Sequence, residues 1–438
     1  MDKPIIAILG RPNVGKSTLF NRLLKRRLAI EDDQPGVTRD RLASDMDWNG
    51  VHFTLVDTGG LMTRAQEQID TLVSKAAEAA IAQSDKVVLV MDGRLSVTDL
   101  DVEIVRLVQR YKVPTILAVT KIDTLHQEPE VYEYYKLGIK DLIPVSAVSG
   151  LNTGDLLDKM VEGFEAQKEV EQPEDEIRLA ILGRPNVGKS SLVNRLLGED
   201  KQIVSDIPGT TRDAIDYAIK FDKMKVVLVD TAGLMKKAIT GRGEDIDYYT
   251  SLRTIRALDR CDVAAVLIDA VEGLTQYERR LLDEIRDKGK GLIVLYNKWD
   301  LIKKDTNTMK AETDEFRLQL PDLSFAPMLF TSAITGQRTR KLLEMTLKVH
   351  SERNKRIPTP KLNDFIEHVV DVKPPPAIKG RWLKIKYVSQ VSTAPPLFTF
   401  HLKYPELMPE AYKRFLERRL REEYGFVGVP LRVVFRKK

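Results

Sequence analysis

The chain has 438 residues, 43% hydrophobic and 30% charged, with a formal net charge of +5, a profile expected of a globular protein with roughly three domains. No apolar run approaches the roughly 18 residues of a membrane span, and the first residues lack the basic-then-apolar pattern of a leader, so neither stable membrane association nor secretion is expected. The single cysteine, Cys261, allows no internal disulfide and suits a reducing cytoplasm.

In chain order, Ile5 to Leu9 reads as a strand, Gly10-Arg11-Pro12-Asn13-Val14-Gly15-Lys16-Ser17 as a Gly-rich loop, and Ser17 to Leu24 as an amphipathic helix. Strand, loop and helix are the setting a phosphate-binding loop requires. Its glycines let backbone N–H groups wrap phosphate oxygens, and the helix N-terminus adds a positive field. Lys16 is placed to reach the β- and γ-phosphates and the Ser17 hydroxyl to ligate Mg²⁺, with Thr18 next in the same turn.

The same eight letters return as Gly183-Arg184-Pro185-Asn186-Val187-Gly188-Lys189-Ser190, followed by Ser191. They again stand between an apolar run, Leu179 to Leu182, and an amphipathic one, Ser190 to Leu197. The likeness extends further: Thr38 and Asp57 follow Lys16 by 22 and 41 residues, and Thr211 and Asp230 follow Lys189 by the same 22 and 41. Equal intervals mean equal strand and loop lengths, hence one fold built twice. Asp57-Thr58-Gly59-Gly60 and Asp230-Thr231-Ala232-Gly233 are expected to hold Mg²⁺ through water and to sense the γ-phosphate; Thr38 and Thr211 are expected to close on both.

Further apolar strands are expected at Phe53 to Val56, Lys86 to Met91 and Thr115 to Val119 in the first copy, with helices over Ala76 to Ile81 and Leu100 to Arg110. Val226 to Val229, Val263 to Ile268 and Gly291 to Tyr296 correspond in the second. Continuous apolar strands separated by helices predict an α/β architecture with parallel sheets. Lys236 to Asp247 reads as a loop, and the acidic, Pro-containing stretch 166–176 as a linker. The domains expected are 1–165, 177–349 and a tail, 350–438.

A phosphate loop does not choose the base. Asn297-Lys298-Trp299-Asp300 does, standing just after an apolar strand: the Asp300 carboxylate can accept from guanine N1–H and its exocyclic amine together, an edge adenine does not present. Asn297 is expected to tie this loop to the phosphate loop, Lys298 to lie over the ring, and Ser332-Ala333 to offer a backbone N–H to guanine O6. The first copy has Thr120-Lys121-Ile122-Asp123 and Ser146-Ala147; Thr120 is shorter than asparagine, so one link there is weaker or bridged by water.

In the tail, Lys361 to Val370 reads as a helix, Trp382 to Val388 and Leu397 to Leu402 as strands, Pro409 to Tyr424 as a basic helix and Pro430 to Phe435 as a last strand. That order predicts a small α+β domain with helices on one face of a sheet. From His350 onward, 19 Lys and Arg face 9 Asp and Glu, so the surplus of +10 sits in the tail. Arg381, Lys384 and Lys386 on a strand, and Lys413, Arg414, Arg418, Arg419 and Arg421 on the helix, suit phosphate contacts. Gly425-Phe426-Val427-Gly428 spells an RNA-clamping GxxG, but between a helix and a strand it reads as a turn.

Together these features resemble the Der (EngA) family of bacterial GTPases, with two consecutive Era-like G domains and a C-terminal KH-like domain. The tandem loops, Pro374-Pro375-Pro376, Lys384-Ile385-Lys386-Tyr387 and Pro405-Glu406-Leu407 carry the resemblance along essentially the whole chain. It implies a cytoplasmic, partly ribosome-associated, monomeric GTPase that assembles or stabilises the large ribosomal subunit, with GTP or GDP and Mg²⁺ at two sites. Leu61 and Leu234 stand where Ras-like proteins carry a water-orienting glutamine, which implies slow turnover. By likeness to cation-activated GTPases, Asn13 and Asn186 are candidates to hold K⁺, or else they brace the loop. A related GTPase of transfer-RNA modification or metal uptake would need a helical modification domain with its own catalytic cysteine or a membrane domain, and neither is expected from this sequence; the rival of another class is a nucleotide-dependent scaffold that hardly turns over.

Overall fold

The computed structural model describes residues 3–28, 43–58, 78, 80–123, 131, 133–165, 175–199, 203–208, 215–231, 247–303, 305–378 and 380–437. Thr38, Gly59, Gly60, Leu61, Thr211, Ala232, Gly233 and Leu234 lie outside the described residues, as do 166–174 of the linker and 236–246 of the expected loop. The chain forms two compact units, Met1–Gln172 with Glu244–Ile255, and Pro173–Gly243 with Arg256–Lys438.

In the first unit, β1 (Ile5–Leu9) and α1 (Lys16–Leu28) are followed by β2 (Ala43–Trp48), β3 (Val51–Asp57), β4 (Lys86–Asp92), α2 (Asp99–Tyr111), β5 (Thr115–Thr120), β6 (Asp141–Pro144) and α3 (Thr153–Val161). The sheet order is β2-β3-β1-β4-β5-β6. Every residue of β1 and β4 is buried, which is why both read as unbroken apolar runs. Strand β2, however, is antiparallel to β3. Their connection, Asn49-Gly50, has φ of +52° and +76°, the left-handed pair a tight hairpin needs. Helix α2 opens with a Thr98–Asp101 capping box and closes at left-handed Lys112.

The second unit repeats this plan with β7 (Glu176–Leu182), α4 (Lys189–Glu199), β8 (Ile203–Pro208), β9 (Ile215–Phe221) and β10 (Met224–Val229). It continues through the part of α5 (Asp247–Arg260) from Arg256 onward, β11 (Val263–Asp269), α6 (Gln276–Asp287), β12 (Gly291–Asn297), α7 (Thr308–Gln319), β13 (Met328–Phe330) and α8 (Arg340–Arg353). The order is β13-β12-β11-β7-β10-β9-β8, and two strands at one edge, β9 and β8, are antiparallel to their neighbours. Cys261 is buried, and burial pushes its thiol up to about 11, so it packs as a small apolar group.

The tail comprises α9 (Thr359–Val372), β14 (Ile385–Thr393), β15 (Pro396–Leu402), α10 (Glu410–Tyr424) and β16 (Arg432–Lys437). Strands β14 and β15 are antiparallel, β15 and β16 parallel. Val388, Phe398, Phe400 and Val433 share one core with Leu362, Ile366, Leu416 and Leu420, which sets both helices against one face. Strand β14 begins three residues later than expected: Trp382 is 79% exposed and has no sheet to pack against.

This tail is joined to the second sheet. Leu292 N–H donates to Gly428 O at 2.7 Å, and Gly428 N–H donates to Phe325 O at 2.8 Å. Phe426 is fully buried, and its N–H donates to Glu352 at 2.7 Å. Gly425–Gly428 is therefore a packing turn, with both glycines at positive φ. A Cβ on Gly428 would fall 2.5 Å from Val349 Cγ2. Arg421, which the sequence places with the phosphate-binding residues, lies 4.4 Å over the Phe325 ring and donates to Phe426 O at 2.9 Å. Burial pushes its guanidinium down to about 10 against the pull of Glu417. It belongs to this interior junction.

Candidate nucleotide-binding sites

In each sheet the parallel strands end at one edge, where the phosphate loop and the base-side loop converge. Open α/β sheets place ligands in that crevice. The two loops have the same backbone: φ is +146°, +65° and +96° at Gly10, Asn13 and Gly15, against +143°, +63° and +96° at Gly183, Asn186 and Gly188. A Cβ on Gly10 would lie 2.3 Å from Val90 O, and one on Gly183 would lie 2.6 Å from Leu267 O. Glycine is required there because the loop leaves the sheet against a neighbouring strand.

Lys16 Nζ folds back onto Arg11 O at 2.6 Å, and Lys189 Nζ onto Gly183 O and Arg184 O at 2.7 and 2.6 Å. Burial lowers the Lys16 ammonium to about 8, partly offset by the Asp57 carboxylate. Asp57 is buried at the end of β3, paired in register with Ile8 of β1, and Thr58 Oγ1 donates to Ile8 O at 2.7 Å. Asp230 sits one residue beyond β10 with φ +58°, its N–H donating to Asp216 at 3.0 Å. Asn13 and Asn186 expose their side chains from left-handed turns, followed by buried Val14 and Val187.

On the base side, buried Asn297 donates to Val187 O at 2.7 Å and accepts from Ala333 N–H at 3.0 Å. One carboxamide thus fastens the Asn297-Lys298-Trp299-Asp300 segment to both the phosphate loop and the Ser332-Ala333 turn. Lys298 Nζ pairs with Asp269 at 2.7 Å. Burial works to raise Asp269, but Lys298 and the Val271 N–H outweigh it and hold its carboxyl below the usual range. Asp300 is exposed and makes no hydrogen bond or ion pair among the described residues.

In the first unit, Thr120 Oγ1 lies 2.6 Å from Val14 O and 3.0 Å from Met91 O, both acceptors. The link to the phosphate loop is kept; the link to Ala147 is not made. Instead Ser146 Oγ donates to Asp123 at 2.8 Å, and Arg94 pairs with the other oxygen of Asp123 at 2.7 Å. Lys121 Nζ is shared by Asp92 at 2.5 Å and Asn13 O at 3.3 Å.

Several supporting residues escape a motif reading. Arg22 of α1 donates to Ser149 O at 2.9 Å, and Arg195 of α4 donates to Ala333 O at 3.3 Å and also to Ile334 O. Each follows its loop lysine by six residues, a repeat interval that sequence alone offers. Arg11 meets buried Asp101 at 3.4 Å, and Arg184 meets buried Glu278 at 3.1 Å; each acid is the third residue of a capping box, so the start of a helix braces each phosphate loop.

A family model described as "50S ribosome-binding GTPase" matches residues 5–121 and 178–298. A second, described as "KH-domain-like of EngA bacterial GTPase enzymes, C-terminal", matches 356–436. Among curated proteins the chain is similar to "GTPase Der" of Pelotomaculum thermopropionicum, 45% identical over 438 residues, covering 100% of this chain and 99% of the relative. "GTPase Der" of Desulforamulus reducens is 47% identical over 442 residues, with the same coverage. Among solved structures, a point variant of Aquifex aeolicus Era bound to GDP.AlF4- is 22% identical, covers 60% of this chain and 93% of its own, and superposes with a TM-score of 0.31.

Proposed function

The chain belongs to the GTPase Der family, and from that premise we propose that it is a two-site GTP switch that associates with the large ribosomal subunit and supports its biogenesis. The observation that carries the reading is the doubled site: two phosphate loops of matching backbone, each hydrogen-bonded to a segment that presents an aspartate beside the crevice. The ribosomal half draws on the description of the matching family model and on exposed Arg381, Lys384, Lys386 and Arg414.

In this mechanism Lys16 and Lys189 leave their loop carbonyls for the β- and γ-phosphates, and the loop N–H groups neutralise charge as water attacks in line. The hydroxyls of Ser17 and Ser190, with Asp57 and Asp230 through water and Thr38 and Thr211, are hard oxygen donors that would hold Mg²⁺, which would supply charge neutralisation at the phosphates. Thr38, Thr211, Gly60 and Gly233 read the γ-phosphate, and its loss releases their loops. Leu61 and Leu234 cannot orient water, so turnover is slow. The exposed carboxamides of Asn13 and Asn186 suit a K⁺ ion at the phosphates. The protein acts in the cytoplasm, as a monomer when off the ribosome, with domains 1–165, 177–349 and 350–438.

The test is GTP turnover and co-sedimentation with purified large subunits, in K⁺ and in Na⁺ at equal ionic strength. Turnover several-fold faster in K⁺, lost in Asn13→Ala plus Asn186→Ala, and better pelleting with a non-hydrolysable GTP analogue than with GDP are expected. Cation-independent turnover would remove the potassium role; equal pelleting in both nucleotides would remove the switch.

A further inference from the structure

The two base-side loops differ in one way that the shared motif does not explain. Arg94 and Val271 hold the same place: the N–H of each donates to the aspartate that ends the preceding strand, Asp92 at 3.1 Å and Asp269 at 2.9 Å. Those aspartates pair in turn with Lys121 and Lys298 of the two loops. From that place Arg94 reaches Asp123 at 2.7 Å, while Val271 is 59% exposed and offers Asp300 nothing.

We infer that Arg94 gates the first site by occupying the carboxylate that the guanine edge needs, an inference that rests on Asp123 being the guanine acceptor. Guanine presents two N–H donors in parallel to a carboxylate, and Arg94 Nη2 already donates to one of the two oxygens of Asp123, Oδ2, at 2.7 Å. The base and Arg94 are therefore alternatives. Ser146 donates to the other oxygen, Oδ1, whose remaining lone pair can still accept, so the competition is carried by Arg94, which takes Oδ2 and sets a cation beside the base's own donors. Arg94 must swing away, and its side chain, 59% exposed, is free of packing that would prevent this. The pair lies at the surface, so its hold is modest and sensitive to salt. Guanine nucleotide binding at the first site then carries a competition that the second site lacks.

The experiment uses the full chain with Lys189→Ala to silence the second site, titrated with fluorescently labelled GDP. Arg94→Ala should tighten binding roughly two- to fivefold, and the gain should shrink as salt rises from about 0.05 to about 0.5 M. Arg94→Lys, which keeps a cation, should stay nearer the parent. In a chain with Lys16→Ala, Val271→Arg should loosen GDP at the second site by a similar factor, a test that does not depend on the first unit tolerating a change. Unchanged affinity in Arg94→Ala overturns the gate, and weaker affinity does so too, since it would mean that the arginine holds the base. If the Lys189→Ala chain binds no GDP with either residue at 94, the guanine reading of Asp123 fails and the gate with it.

Discussion

The Asn297 carboxamide and the Thr120 hydroxyl make the same bond to the phosphate loop, donating to Val187 O and Val14 O at 2.7 and 2.6 Å. Only Asn297 has a second arm, which accepts from Ala333 N–H. Thr120→Asn is therefore expected to tighten GDP at the first site or leave it level, and Asn297→Thr to loosen it at the second. Loss of the acceptor for Ala333 costs about 1–3 kcal/mol, or about five- to 150-fold in affinity if all of it falls on the bound state. Site-resolved titration with labelled GDP decides; a clear loss in Thr120→Asn would show that the hydroxyl is the better fit.

Guanine selection should rest on the two carboxylates. Asp300→Asn removes a charged acceptor pair worth about 1.5–3 kcal/mol, so GDP dissociation at the second site should rise at least about tenfold. Asp123→Asn should do less, because it also removes the partner of Arg94. Unchanged GDP binding in Asp300→Asn contradicts the assignment.

The shift of Lys16 has a pH signature. In the free protein its ammonium is lowered to about 8, first by burial. Bound phosphates favour the charged form, so the pKa in the complex is higher. Affinity is then full below about pH 8 and falls as pH rises through the gap between the two values. Calorimetry of GDP binding to the Lys189→Ala chain, at about pH 8.5 in two buffers of different ionisation heat, should find proton uptake. No uptake would place the Lys16 pKa well above that pH.

How much of this was legible beforehand varies with the physics. Strands β1, β4, β5, β11 and β12 are buried on both faces, so their apolar letters identify them. Strands β2, β8 and β9 are antiparallel and carry mixed letters, as Ala43-Ser44-Asp45-Met46-Asp47-Trp48 does, and none of them is expected from the sequence. The phosphate-loop and Asp57 motifs stand out through equal spacing because the fold is built twice, and the Asp123 motif through its place after an apolar strand. Arg94 was not, since its meaning depends on which loop it faces. Arg421 looked like its neighbours on a basic helix, but the helix turns it toward Phe325.

That difference separates the tail charges into two kinds. Arg414, Lys384 and Lys386 are exposed, whereas Arg419 and Arg418 pair with Glu422 at 2.6 and 3.7 Å. Reversing Arg414, Lys384 and Lys386 to Glu should weaken binding to large subunits and flatten its salt dependence, with the melting temperature little changed. Arg421→Glu should instead cost about 2 kcal/mol or more of stability by removing the ring contact and the bond to Phe426 O. Thermal melts beside co-sedimentation separate the two; a stable Arg421→Glu protein would contradict the junction described here.

The most direct measurement is the stoichiometry of guanine nucleotide on the intact chain, by equilibrium dialysis with GDP and, in parallel, ADP. Two tandem sites of one design predict two GDP per chain, one after Lys16→Ala or Lys189→Ala, and none for ADP at matched concentration. A single GDP on the unaltered chain, or ADP bound as well as GDP, would contradict the account.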